Sequence, residues 1–350
     1  MYIVHFTDAE QIPAEDRRML LGGKGASLVE MSSDLGLAVP PGFVITTEAF
    51  KRFQKDKSLS FLDKELVHAM AVIESSTGRS FGSPDNPLLV SVRSGAPVSM
   101  PGMMDTILNL GLNDQTTSGL EARSNFNFAA ECTSRFESMF NEIVIQKNST
   151  DASHIPSDVW EQLHLAIEAV FHSWNSPRAI TYREVEKIPE HYGTAVTVQA
   201  MVFGNIGTNS GTGVLFTRNP STGADELFGD FLPNAQGEDV VSGSHQTFGI
   251  EEMKEIAPDI FQELSDVAKS LELTTTDMCD IEFTVEEGRL WILQNRVGKR
   301  TPTAAIRIAV EMAEDLSFPI NQEEALNRVT PDQLESALET NQVSSSSEIL

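Results

Sequence analysis

The stretch that decides how this chain folds is Asp280-Ile281-Glu282-Phe283-Thr284-Val285-Glu286-Glu287-Gly288-Arg289-Leu290-Trp291-Ile292-Leu293-Gln294-Asn295-Arg296. Ile281, Phe283 and Val285 alternate with Asp280 and Glu282, which is the period of a half-buried β-strand. On the return, Gln294 and Arg296 are again two apart. Glu286-Glu287-Gly288 reads as a three-residue hairpin loop with Gly288 in the left-handed position. That register sets Asp280 opposite Gln294 and Glu282 opposite Ile292, so Asp280, Glu282, Gln294 and Arg296 converge on one face. A two-residue loop would send the two polar sets to opposite faces. Two carboxylates on a rigid strand, joined by an amide and a guanidinium, suit magnesium and a polyphosphate, because magnesium takes one or two protein carboxylates and adds phosphate oxygens. The same pattern also serves a solvated face with cross-strand pairs. A zinc site is disfavoured, since none of the seven histidines stands at ligand spacing with these acids.

Outward from the hairpin, the chain reads as an α/β protein of α+β type interrupted by a helical block. Gly25 to Leu35 carries apolar residues at helical spacing and Gly36 stops it. Phe43 to Thr46 is a short strand, Thr47 caps a helix to about Phe53, and another helix runs from about Leu59 to Glu74. Leu88 to Val92 is a continuous apolar strand. Helices are expected over Phe126 to Gln146, over Ser157 to Trp174 with Asp158 in the first turn, and over Pro177 to Lys187, where proline suits the first turn. Strands return at Ala195 to Val202 and Gly213 to Thr217, then a helix at about Ala257 to Leu271, the hairpin, two helical segments beyond Pro302, and a serine-rich tail. The expected division is residues 1–112, a helical insertion at 113–190, a second α/β part at 191–300 and C-terminal helices at 301–350.

The composition bounds the function. Of 350 residues, 40% are apolar and 22% charged, which excludes a disordered or fibrous chain. Fifty-one acidic against 25 basic residues give a net charge of −26, so nucleic acid and anionic membrane are not expected partners. Cys132 and Cys279 cannot make a disulfide framework. No apolar run nears the roughly 20 residues of a membrane helix, and the start lacks a basic region before an apolar one. A soluble, cytoplasmic protein is expected.

Three further segments hold candidate site residues. In Leu21-Gly22-Gly23-Lys24-Gly25, glycines around a lysine before a helix let backbone approach an anion closely, or simply make a tight turn. It is not a Walker A loop, because no Ser or Thr follows Lys24. Arg93, ending the apolar strand Val90-Ser91-Val92, requires a partner: a phosphate fork or a structural ion pair. Ser99-Met100-Pro101-Gly102-Met103-Met104-Asp105-Thr106 puts three methionines in a Pro-Gly turn, which fits a mobile apolar flap using the Gly102 amide and the Thr106 hydroxyl, or a buried Met-rich loop. Gln199, inside an apolar strand, is a buried amide able to read a nucleotide base.

Taken together, Leu20 to Gly25, Val90 to Gly95, Ser99 to Leu112 (SMPGMMDTILNLGL), Ser210 to Gly223 (SGTGVLFTRNPSTG), Asn234 to Val241 (NAQGEDVV) and Asp280 to Arg300 resemble the ATP-binding domain of pyruvate, phosphate dikinase. The resemblance runs in order from about residue 3 to residue 330. It implies an ATP-grasp-like fold with ATP between two α/β subdomains under a flexible loop. By motif position it implies that Lys24 and Arg93 hold phosphates, Gly102 and Thr106 belong to the covering loop, and Gln199 lies near the adenine. It further implies that Asp280, Glu282 and Gln294 organise Mg²⁺ and that Arg296 neutralises the transferring group. Arg135 is carried over from a position where the family commonly has two adjacent arginines; here Ser134 precedes it.

In that family the β,γ portion of ATP passes to a carrier histidine, leaving AMP. None of the seven histidines here sits in the family's Thr-Ser-His-Ala setting. The resemblance therefore implies the ATP-side half of the reaction, with the phosphohistidine carrier in another chain or in a region absent here, and no pyruvate-binding domain. The helical block after Ile145 reads shorter than in typical members. Two other readings remain open at this level: a non-catalytic ATP-binding module that regulates a partner protein, and a phosphotransferase acting directly on a small molecule.

Overall fold

The computed structural model describes residues 1–8, 12–147, 153–241 and 245–347. The chain divides into two compact units, Met1–Val202 and Phe203–Leu350.

The first unit is built on a fully antiparallel sheet of β1 (Ile3–His5), β2 (Gly42–Ile45), β5 (Val90–Gly95), β6 (Thr106–Leu110) and β7 (Ala195–Ala200), in the order β1-β2-β7-β5-β6. A separate short parallel pair is formed by β3 (Ser80–Phe81) and β4 (Pro87–Leu88). Its helices are α1 (Ala14–Val29), α2 (Thr47–Asp56), α3 (Asp63–Thr77), α4 (Asp114–Arg123), α5 (Phe126–Phe140), α6 (Val159–Ser173) and α7 (Pro177–Val185). The expected helix from Gly25 begins earlier: α1 is two helical runs joined at Gly22, whose φ of 70° and ψ of 167° break the spiral. Thr46 rather than Thr47 caps α2, its hydroxyl accepting from Ala49 N, because the cap residue must still be extended while its side chain turns back. Asp158 likewise caps α6 instead of sitting in its first turn. Helices α5 and α6 lie against β6 and β5, so the helical block belongs to this unit's core.

One sequence boundary moves. Ala195–Ala200, read as the start of a second α/β part, lies in the middle of the first sheet, hydrogen-bonded to β2 and β5. All six of its residues are buried. A strand covered on both faces can sit centrally in a sheet whose other members lie more than 80 residues earlier, and no local pattern records that placement.

The second unit has its own antiparallel sheet, order β10-β9-β8-β11-β12, made of β8 (Gly211–Phe216), β9 (Phe228–Pro233), β10 (Phe248–Gly249), β11 (Cys279–Glu286) and β12 (Arg289–Val297). Helices α8 (Gly237–Val241), α9 (Met253–Ile256), α10 (Pro258–Thr275), α11 (Pro302–Glu314), α12 (Gln322–Asn327) and α13 (Pro331–Ser347) complete it. Helix α10 packs on β11 and β12. The end of β8 is tied down by a buried bidentate ion pair: Arg218 Nε and Nη2 donate to Glu272 Oε1 (2.9 Å) and Oε2 (3.2 Å). Helix α11 closes a small core of Met278, Ala304, Ile308, Met312 and Phe318, so the helices beyond Pro302 are part of this unit. Both units are mixed helix and antiparallel sheet, the α+β arrangement expected.

Candidate functional site

In the second unit, the hairpin places its four polar residues on one face by a different register from the one the sequence suggested. The loop is two residues, Glu287 (φ 49°) and Gly288 (φ 80°), both left-handed as a type I′ turn requires. Glu286 therefore pairs with Arg289 and Phe283 with Ile292. Left uncorrected, this register would turn Gln294 and Arg296 into the core. A β-bulge intervenes: Leu293 has no partner, and the register shifts between Glu282 and Phe283. Beyond it Glu282 faces Gln294, where Ile292 was expected, and Asp280 faces Arg296, where Gln294 was expected. The bulge is favoured because Ile281, Phe283, Val285, Leu290 and Ile292 are all at most 4% exposed on the opposite face, each burial worth about 1.5–3 kcal/mol.

The opposed pairs make direct contacts. Arg296 Nε donates to Asp280 Oδ2 at 2.8 Å, and Gln294 Nε2 donates to Glu282 Oε1 at 2.9 Å. Asp280 is 6% exposed and Gln294 8%, while the Arg296 side chain is 45% exposed. Burial pushes the Asp280 carboxyl above the usual carboxylate range; Arg296 opposes that push and Glu282 adds to it. The face continues onto β8, where Asp280 opposes Phe216, Glu282 opposes Val214 and Thr284 opposes Thr212. Gly237, at the start of α8 in the NAQGEDVV segment, lies over Thr212: a Cβ there would stand 3.7 Å from the Thr212 hydroxyl.

Among the described residues no group of three or more His, Cys, Asp or Glu could by itself hold a metal ion. The donor set nonetheless fits magnesium bound together with phosphate. It offers two carboxylates and an amide oxygen, and Asp280 Oδ1 and Glu282 Oε2 accept no hydrogen bond from the described residues.

In the first unit, Lys24, Arg93, Thr106 and Gln199 lie on or beside one sheet. Gly22 makes the approach: a Cβ on it would stand 1.8 Å from Gly95 O, and Gly23 N donates to Ala96 O at 2.8 Å. The Lys24 stem consequently lies over the end of β5, with its Cβ 3.6 Å from where a Gly95 Cβ would be. Arg93 opposes Thr106 on β6 and Thr197 on β7, so the three form a row on one face. Arg93 Nε and Thr197 Oγ1 are buried and find no hydrogen-bond partner among the described residues. Two adjacent buried polar atoms without partners are costly unless a polar ligand meets them.

Gln199, two residues beyond Thr197 on the same face, is 2% exposed and donates Nε2 to Pro40 O at 3.1 Å. Gly102 is at the exposed tip of the Met-rich loop with φ 70° and open space around it. Arg135 stands on α5, away from that row in sequence and element, and pairs with Glu131 through Nε (3.1 Å) and Nη2 (2.7 Å).

The sequence reading passed over what anchors the loop. Asp105, 8% exposed, accepts from Arg178 Nη2 at 2.6 Å and Lys147 Nζ at 2.7 Å; Arg178 Nε also donates to Met103 O. At the other end Arg18 Nε donates to Pro97 O at 2.8 Å. Nothing local announces these contacts, which join residues 42 to 79 positions apart. Thr197 was findable, since Thr197 and Gln199 repeat on β7 the two-apart polar pattern of the hairpin.

Each unit thus carries its own cluster of buried or half-buried polar side chains on a mixed helix-and-sheet frame. Comparison with known proteins identifies the family. The family model for "Pyruvate phosphate dikinase, AMP/ATP-binding domain" matches residues 18–60 and 60–252. Pyruvate, phosphate dikinase 1, chloroplastic, of Arabidopsis thaliana is 46% identical over 364 residues, taking in 92% of this chain and 37% of that protein. Pyruvate, phosphate dikinase 2 of Oryza sativa subsp. japonica is 44% identical over 377 residues, with 96% of this chain and 42% of the other covered. A match that takes in 96% of the chain includes the hairpin, which lies beyond the family model's span. The chain belongs to the pyruvate, phosphate dikinase family and corresponds to its AMP/ATP-binding domain. It spans about two fifths of the length of these curated relatives.

Proposed function

We propose that this chain binds Mg-ATP in an ATP-grasp-like fold and transfers the β,γ portion of the nucleotide to a histidine on a phosphohistidine carrier domain, releasing AMP. The observation that carries the reading is the bulged hairpin face, where Leu293 re-registers β12 so that Asp280, Glu282, Gln294 and Arg296 stand together. Magnesium, when bound, would neutralise phosphate oxygens, and Asp280, Glu282 and the Gln294 amide oxygen are the groups that would hold it. Arg296 is held through Nε by Asp280, which leaves its outer guanidinium nitrogens directed to a phosphoryl group as charge develops in transfer. Lys24 and the Arg93–Thr197 row supply donors for phosphate in the first unit, with Gln199 beside them and the Gly102–Thr106 loop as cover. Arg135, paired with Glu131 on α5, enters this reading as a catalytic residue from its motif position alone. Support comes from the family membership and from the unpartnered Arg93 Nε and Thr197 Oγ1.

The test is transfer of label from [β-³²P]ATP to an added phosphohistidine domain, with AMP measured in parallel. Arg296→Ala is expected to lower turnover by about 10²–10³-fold while nucleotide affinity stays within about threefold. Equal losses in both would show that Arg296 merely binds. Nucleotide binding with no AMP from the unaltered protein, carrier present, would replace this reading with that of a regulatory ATP-binding module.

A further inference from the structure

The methionine-rich loop is held by hydrogen bonds at one place along its length. Ser99, Pro101 and Gly102 are exposed, and Gly102 has open space where a Cβ would stand. Met100 is buried and seats the near side by packing. Within the loop Met103 N donates to Met100 O at 3.2 Å. From outside, between Val98 and Met104, the bond that Arg178 Nε makes to Met103 O at 3.1 Å is the only one among the described residues. The other arm of the same guanidinium, Nη2, donates to Asp105 Oδ1 at 2.6 Å. One planar fork thus grips a loop carbonyl and the carboxylate two residues on.

The elements around this fork converge on it. Lys147, at the end of the π-helical turn Asn141–Gln146 that follows α5, donates to the same Asp105 oxygen at 2.7 Å. Asp105 N donates to Ser173 Oγ of α6 at 3.4 Å. Asp105 is therefore fixed one residue before Thr106, which opposes Arg93 in the row on the first sheet. Arg178 itself is badly placed for its helix. Ser176 caps α7 and Pro177 is its first residue, so the guanidinium stands at the positive end of the helix dipole, where a cation is disfavoured. Its side chain is 47% exposed, against 4% for Arg218 in its buried pair with Glu272. A half-exposed pair adds little to stability, so stability does not account for an arginine at this position.

We propose that Arg178 is a positioning residue: its fork sets the posture in which the Met100–Asp105 loop meets the nucleotide phosphates, with Lys147 steadying the shared carboxylate. This rests on the reading above, in which the Gly102–Thr106 loop covers the nucleotide. Arg178 acts through Met103 O and Asp105, and it is not one of the residues assigned to ATP or metal.

Hydrogen exchange of the loop amides in the full chain, with and without Mg-ATP, tests this alongside label transfer to the added phosphohistidine domain. In the unaltered protein, Mg-ATP is expected to slow exchange at Gly102, Met103 and Met104. Arg178→Gln should quicken exchange there about tenfold without nucleotide, leave Val92 unchanged, and lose most of the protection by Mg-ATP. Its turnover should fall about tenfold while ATP affinity stays within about threefold. Arg178→Lys keeps a charge for Asp105 without the fork and should restore less than half of the lost protection. Lys147→Gln leaves the fork intact and should act severalfold more weakly than Arg178→Gln. Equal protection by Mg-ATP in the unaltered protein and in Arg178→Gln would overturn the proposal. So would full recovery in Arg178→Lys, or equal effects of Lys147→Gln and Arg178→Gln. A loop that Mg-ATP leaves unprotected in the unaltered protein would instead overturn the placement of the loop over the nucleotide, and this role with it.

Discussion

The two polar clusters are made by opposite means. In the first unit, closeness is a backbone property: Gly22 lets α1 touch the end of β5, and the cation that follows is carried there by the chain. In the second unit, closeness is a matter of strand register, and the side chains bond one another across it. The first arrangement leaves buried donors without partners; the second arrives with its acids already matched to Arg296 and Gln294. A cluster that depends on a missing Cβ breaks by steric conflict, whereas one that depends on register breaks by one residue of slip.

Inserting one alanine between Leu293 and Gln294 attacks the second arrangement directly and should have the largest effect. The bulge already takes up one extra residue, and a second shifts Gln294 and Arg296 to the face occupied by Ile281 and Phe283. Burying that unpaired guanidinium, or slipping the strand to avoid it, should cost about 3–5 kcal/mol in urea unfolding, with the proposed ATP-dependent transfer lost. Stability within about 1 kcal/mol of the parent would show that strand register does not hold the cluster together.

Gly22→Ala attacks the first arrangement. Its Cβ would meet Gly95 O at 1.8 Å from a left-handed backbone position, and neither partner is a flexible side chain. A loss of about 2–4 kcal/mol is expected, read by hydrogen exchange at Leu28 and Val92 rather than at Phe283. A uniform effect on both units would dissolve the distinction drawn between them.

Asp280→Asn sharpens the comparison with the smallest effect on stability. Burial holds the folded-state pKa of Asp280 above its unfolded value, so the folded form keeps the proton more tightly. Wild-type stability from this group is therefore full at pH values below the unfolded pKa and declines as pH rises through the folded one. Asparagine keeps an oxygen for Arg296 and does not ionise. Its stability relative to the parent should rise with pH across that window and level off above it, as measured by unfolding at a series of pH values. A flat difference would mean that Arg296 fully compensates the buried charge.

The candidate site was legible in the sequence where polar residues interrupt an apolar alternation. Asp280 and Glu282, and separately Gln294 and Arg296, could be assigned to shared faces because alternation within a strand is local. The glycines around Lys24 were equally readable, since only a missing side chain permits that approach. The loop anchors were not: Asp105, Arg178 and Lys147 meet across long stretches of chain, and each alone is an ordinary charged residue. Nor was the position of Ala195–Ala200, whose buried pattern suits either sheet.

The amino-acid order by itself settled which residues point the same way along each strand, roughly where the helices lie, and which family the motifs belong to. Only the folded chain decided which strand lies beside which, that Leu293 is the residue left over in the hairpin, and that Arg178 grips the methionine-rich loop. The reason is the range of the forces. Side-chain direction follows from the backbone's own geometry over two to four residues, while register and neighbours are set by hydrogen bonds and packing between segments far apart in the chain.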